Sequence, residues 1–182
     1  MRKILVTEYL TLDGVFEEPG HWSFEYFNDE AMQYKREELF SSDVQLLGRV
    51  TYEGFAKAWP TMPGTGDFGE RMNSMPKYVV SSTLTNAEWQ NTTIISNNVV
   101  EGIQQLKEQP GQHILVAGSG KLVRTLMHHN LVDEFRCMVH PVVLGSGKRL
   151  FPEGTEKYTF KLMETKAFKT GIVVLHYQPD RG

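Results

Sequence analysis

Three turns carry the chemistry that this sequence offers, and each follows a short apolar run: Leu47-Gly48-Arg49, Val80-Ser81-Ser82 and Val116-Ala117-Gly118-Ser119-Gly120. Glycine lets backbone amides approach an anion closely, and a helix opening directly after such a turn adds the positive end of its dipole. The amides of Gly118, Ser119 and Gly120, with Lys121 behind them, suit a pyrophosphate. Arg49 has the planar fork that matches a phosphate monoester, and the hydroxyls of Ser81 and Ser82 suit the remaining oxygens. Thr51, just inside the helix that follows Arg49, adds an amide and a hydroxyl. Singly, each of these is an ordinary turn. Together, two phosphate sites of different kinds point to a dinucleotide such as NADP.

Other patterns close off other chemistries. Gly64-Thr-Gly66-Asp-Phe-Gly69 satisfies G-x-G-x-x-G, but it follows Pro60 and Pro63 rather than a strand, and no helix is expected inside it. Neither Gly120-Lys121 nor Gly147-Lys148 has a glycine five positions earlier, which excludes a P-loop. The six histidines form no H-E-x-x-H pair, and with Cys137 the only cysteine there is no zinc framework. No G-x-S-x-G elbow is present to anchor a hydrolase triad.

The elements that must position these turns follow from hydrophobic period and breakers. Strands are expected at Lys3–Leu12, Val44–Leu47, Lys77–Ser81, Thr92–Ser96 and His113–Ala117, and helices at Asn28–Phe40, Thr51–Trp59, Val99–Lys107 and Gly120–His129. Strand and helix alternate, which implies a mostly parallel sheet flanked by helices, with ligands beyond the carboxyl ends of its strands. After Asn130 the strands Glu134–Val143, Tyr158–Phe168 and Ile172–Tyr177 have no helices between them, and the short Lys169-Thr-Gly171 connection predicts an antiparallel edge hairpin. Pro60–Pro76, with three prolines and three glycines, reads as a loop.

At 182 residues, with 40% hydrophobic and 23% charged residues, the chain has the make-up of one soluble α/β domain spanning 1–182. A net charge of −3 gives no electrostatic reason to approach nucleic acid or an anionic membrane. The apolar run after Met1-Arg2-Lys3 is three residues long before Thr7-Glu8, too short for an export signal, so a cytoplasmic location is expected. Cys137 sits in an apolar-polar alternation and reads as a buried, inert strand residue.

Taken in order, Leu12-Asp13-Gly14, Gly48-Arg49-Val-Thr51-Tyr52-Glu53, Lys77-Tyr-Val-Val-Ser81-Ser82, Gly118-Ser119-Gly120 and Pro141-Val-Val-Leu-Gly145-Ser-Gly147-Lys-Arg-Leu150-Phe151 resemble the dihydrofolate reductase-like superfamily. Within it the resemblance is to the RibD C-terminal domain, the reductase of riboflavin biosynthesis, and its stand-alone relatives. The resemblance implies an NADPH-dependent reductase. Gly48, Arg49 and Thr51 match that family's cofactor turn, Ser81 and Ser82 its adenosine-phosphate strand end, and Gly118 to Gly120 its diphosphate turn. Asp13 matches a loop that lies over nicotinamide and substrate, although a plain tight turn is an equal reading.

Two departures stand out. Counting back from Gly48-Arg49 places Met32 where dihydrofolate reductases carry a carboxylic acid, with Asp29 and Glu30 about one turn earlier as the available acids. Ser119 replaces a glycine of that family. The segment Gly20–Phe27 is dense in rings, and Trp22, Phe24 and Tyr26, beside Met32, are candidates to cover a flat substrate or to cap the core. Lys148 and Arg149 suit an anionic substrate or a solvated turn. The expectation is a homodimeric enzyme that passes hydride from NADPH to a small heterocyclic or sugar-like carbonyl or imine. The alternative is a non-catalytic NADP-binding sensor or partner protein.

Overall fold

The apolar runs of the sequence become eight strands of one sheet in the computed structural model, which describes all residues from 1 to 182. In chain order the elements are β1 (Ile4–Leu10), α1 (Asp29–Phe40), β2 (Ser42–Gly48), α2 (Arg49–Ala58), α3 (Gly66–Ser74), β3 (Lys77–Val80), β4 (Thr92–Ile95), α4 (Val99–Glu108), β5 (His113–Ala117), α5 (Gly120–His128), β6 (Glu134–Val139), β7 (Phe160–Ala167) and β8 (Val173–Pro179). The sheet order is β4-β3-β2-β5-β1-β6-β8-β7. The first six are mutually parallel, and β8 and β7 are added antiparallel at one edge. This is the architecture expected from the alternation of periods.

Local chemistry sets the boundaries. Asn28 caps α1 by accepting the Ala31 N–H at 3.1 Å, and Asp29 and Glu30 sit in its first turn, where acids suit the dipole. β6 stops at Val139 rather than Val143 because Pro141 has no N–H for a ladder. The segment Pro60–Pro76 is not the loop that its prolines suggest, since it contains α3. Gly64 and Gly66 turn the chain at positive φ. The residues that follow, Asp67–Ser74, contain neither proline nor a β-branched residue, and Phe68 and Met72 share one face toward the core. A helix therefore does begin inside the G-x-G-x-x-G pattern. Asp67 in its first turn pairs with Arg36, so that turn already holds an anion.

Helices cover both faces. Ile4, Val6, Ile114 and Val116 point to one side, against Ile103 and Leu106 of α4 and Leu122, Val123 and Leu126 of α5. Leu5, Leu47, Val79 and Leu115 point to the other, against Leu39 of α1, Tyr52 of α2 and Met72 of α3. Adjacent strands β1 and β5 thus lead to helices on opposite faces, which opens a crevice at their carboxyl ends. The pairing shows the split: β1 stays with β5 only from Ile4 to Thr7, but with β6 as far as Leu10. From Glu8 to Leu10 the β5 side of β1 is open.

Candidate functional site

Two helices start at this crevice, and neither is capped by a side chain or carries an acid in its first turn: α2 after Gly48 and α5 after Ser119. The other three α-helices all have an acid there. Uncapped amides and two positive dipole ends make an anion-binding corner. One hydroxyl ties the two starts together. Gly48 N–H donates to Ser119 Oγ at 2.8 Å, and Ser119 Oγ–H donates to Thr51 Oγ1 at 3.0 Å.

The approach is close enough to need glycine. A Cβ on Gly118, at φ +58°, would stand 2.7 Å from Thr51 Oγ1, and one on Gly48 would stand 3.0 Å from Ser119 Oγ. Ser119 itself is left-handed at φ +64°, and the chain has no cis peptide bond. A Cβ on Gly120 would meet the Phe16 ring at 2.6 Å. Gly48, Thr51, Gly118, Ser119 and Gly120 are therefore brought to one place, with Lys121 exposed as the second residue of α5.

Arg49 and the two serines stand at neighbouring strand ends, because Gly48 pairs with Val80. Arg49 is exposed, and its Nη1 donates to both Glu53 oxygens at 2.9 and 3.2 Å, which leaves Nη2 and Nε for a phosphate. Ser81 Oγ accepts the N–H groups of Leu84 at 2.9 Å and Thr83 at 3.2 Å, which shapes the turn after β3, while Ser82 is exposed.

Two of the three candidate acids, Asp13 and Glu30, are tethers. Asp13 accepts from the Thr11 hydroxyl at 2.6 Å and from Gly145 N–H at 2.8 Å, and these bonds hold its carboxyl down at about 2. It fastens the β1 turn to the loop after β6, aided by Arg149, whose Nε donates to the Asp13 carbonyl at 3.0 Å. Glu30 accepts from Lys169 N–H at 3.0 Å, which lowers its pKa and ties α1 to the β7–β8 turn. Asp29 and Met32 are exposed in the first turn of α1. Lys148 pairs with Glu17 at 3.3 Å on the outside of the same loop.

The three rings do not act as a set. Trp22 is buried, with Nε1–H donating to Glu17 O at 2.9 Å and its edge on His140 at 5.2 Å; Tyr26 meets His140 at 5.9 Å. Phe24 is 71% exposed.

Several polar groups here gave no motif. His140 is fully buried among Tyr9, Trp22, Tyr26 and Phe27, and its Nδ1–H donates to Met138 O at 2.9 Å, while burial keeps its pKa low. Below α1, Lys35 donates to Thr7 Oγ1 at 2.9 Å and pairs with buried Glu38, and Arg136 stands 3.9 Å from Glu38. Glu8 is 3% exposed, and its Oε1 has no hydrogen-bond partner. Burial pushes its pKa well above the ordinary value, against the Lys35 charge and the Gly118 amide. Signals for two of them lie in the spacing. Glu38 stands four residues after Tyr34 on the buried stripe of α1, and Glu8 alternates with Ile4, Val6 and Leu10 on the inward side of β1.

Known proteins resemble this chain in sequence and in fold. The family model described as the RibD C-terminal domain matches residues 2–174. YyaP of Bacillus subtilis (strain 168), itself uncharacterized, is 32% identical over 179 residues, covering 97% of this chain and 94% of that protein. A solved structure from Shewanella sp. PV-4, whose riboflavin-biosynthesis role is itself inferred, is 20% identical, with a TM-score of 0.79 over 98% of this chain and 99% of its own. Enterococcus faecalis dihydrofolate reductase, solved in complex with NADP(H), is 15% identical, with a TM-score of 0.65 over 98% of this chain and 96% of its own. The last two establish the fold, which is dihydrofolate reductase-like.

Proposed function

This chain belongs to the RibD C-terminal domain family, and from that premise and the crevice we propose that it is an NADPH-dependent reductase of a small heterocyclic or sugar-like carbonyl or imine. The observation that carries the reading is the junction of two uncapped helix starts, α2 and α5, through Ser119 across the carboxyl ends of the neighbouring strands β2 and β5. A reduced nicotinamide nucleotide supplies the hydride when bound. The residues present fit such a group. Gly118 lets the two turns close on each other, since a Cβ there would stand 2.7 Å from Thr51 Oγ1, and the free amides of Gly120 and Lys121 suit a diphosphate.

Arg49 would take the extra phosphate with Ser81 and Ser82 through the nitrogens that Glu53 leaves free. Thr51 and Ser119 fix the distance between the two helix starts, so the site is formed in advance of binding. On the α1 side, Met32 and Phe24 present exposed apolar surface, while Trp22 and Tyr26 back the loop that carries Phe24. The role of these residues is to bind, orient and exclude water.

Met32 in place of a carboxylic acid favours a second reading, a protein that binds the nucleotide without turnover. Purified chain mixed with NADPH and a panel of pterins, pyrimidines, aldehydes and imines separates the two. Oxidation of NADPH with any member supports the reductase. Tight binding with no oxidation across the panel supports the binding protein.

A further inference from the structure

Glu8 has no work in the account so far, yet it occupies the position where the sheet opens. It is the first residue of β1 beyond the pairing with β5, since Thr7 is the last, matched to Ala117. It therefore lies opposite Gly118, and its side chain points to the α5 side, as Ile4 and Val6 do. The groups facing it are few. Cys137 stands beside it in register on β6, with a thiol pushed up to about 12 by burial. Lys35, with its partner Glu38, acts from α1 across the sheet, and Tyr9 is the next residue of the strand. On α5, Arg124 donates to Leu150 O at 3.4 Å, and Lys121 is exposed. No side chain hydrogen-bonds Glu8, and Oε1 is buried without a partner.

A buried carboxyl with one oxygen unpartnered is costly, even with the Gly118 amide beside it, and an apolar residue would fill this strand position more cheaply. A carboxylic acid kept neutral inside a binding crevice is, however, a proton donor. The other groups nearby are committed. Asp13 and Glu30 are ionised tethers, and the Nδ1–H of His140 is bound to carbonyls behind four rings.

We propose that Glu8 is the acid of this crevice, giving its carboxyl proton to the substrate atom that gains charge as hydride arrives. The inference rests on the reductase reading above. The carbon of a C=O or C=N bond takes hydride from a reduced nicotinamide nucleotide, and the π pair moves to oxygen or nitrogen. That atom takes the Glu8 proton, leaving alcohol or amine, oxidised nucleotide and a carboxylate that water reprotonates.

The full-length chain and its Glu8→Gln and Glu8→Asp variants test this with NADPH as probe. In wild type, NADPH affinity should fall about tenfold as the pH rises and Glu8 ionises beside the diphosphate turn. Glu8→Gln should keep the low-pH affinity and lose the slope. With any panel substrate that wild type reduces, Glu8→Gln should be slower by about 10²–10⁴-fold, with Glu8→Asp recovering part of the rate. Infrared difference spectra of wild type should show a protonated carboxyl band that shifts on adding NADPH, a readout that needs no variant to fold. Parallel pH slopes in wild type and Glu8→Gln, a shift-free carboxyl band, or full activity of Glu8→Gln would each overturn the assignment. Failure of wild type itself to bind NADPH would instead remove the reductase reading, and the role of Glu8 with it.

Discussion

Replacing Ser119 by alanine or by glycine separates two things that its position combines: a hydroxyl bridge and a left-handed backbone. The bridge consists of the bond from Gly48 N–H at 2.8 Å and the bond to Thr51 Oγ1 at 3.0 Å. Each is a neutral bond worth about 1 kcal/mol net, so Ser119→Ala should lose about 2 kcal/mol. Ser119→Gly loses the same bonds but frees a residue at φ +64°, which returns about 1 kcal/mol. For a chain of this size 1 kcal/mol moves Tm by about 2–4 °C. Thermal melts should therefore place Ser119→Ala about 4–8 °C below wild type and Ser119→Gly roughly midway. NADPH affinity should drop in both, by about tenfold, because the two helix starts are no longer held at one spacing. Ser119→Ala melting with wild type would refute the bridge as the element that joins the two turns, and alanine above glycine would refute the backbone strain.

Arg49→Ala should weaken NADPH by about tenfold or more and leave NADH nearly unchanged, since a charge-assisted bond to the extra phosphate is lost; equal losses in paired titrations would take Arg49 out of that role. Asp13 is held at about 2 in the fold against 3.8 for a free side chain, so its tether is present above the ordinary aspartate range and disappears as pH falls toward 2. Hydrogen exchange at Leu144 and Gly145 should follow that curve, and Asp13→Asn should speed it at neutral pH. Lys77, fully buried, donates to the carbonyls of Asn73 at 2.7 Å and Met75 at 2.8 Å, and burial brings it down from 10.5 to about 8. The unfolded chain then binds the extra proton between those values, so wild-type stability should rise with pH from about 8 to 10.5, and Lys77→Met should flatten that rise in denaturant melts.

The parallel part of the sheet was legible because its strands are apolar on both faces and its helices are amphipathic, so period alone separates them. Lys169-Thr-Gly171 is a local turn signal, and the β7–β8 connection forms there, while Asn28, which opens the expected helix, caps α1. α3 was hidden by prolines on either side of a short helical stretch, because breakers mark the boundaries of an element and say nothing about what lies between them. At the site, the turns at Gly48 and Gly118 announced themselves through glycine. Their meeting did not, because the Ser119 bridge links residues 71 and 68 positions apart. Asp13 and Glu30 read as free acids, since a sequence does not show that backbone amides of Gly145 and Lys169 come back to claim them. Glu8 reads as the end of an apolar run, although a charge in register with Ile4 and Val6 on a central strand is a signal of its own.

Calorimetric titration of the purified chain with NADPH tests the central claim most directly. NADPH should give measurable heat, saturable one-to-one binding and, at a hundred times Kd, about 2.7 kcal/mol of added stability, seen as a Tm higher by about 5–11 °C. No heat and an unchanged Tm would contradict it.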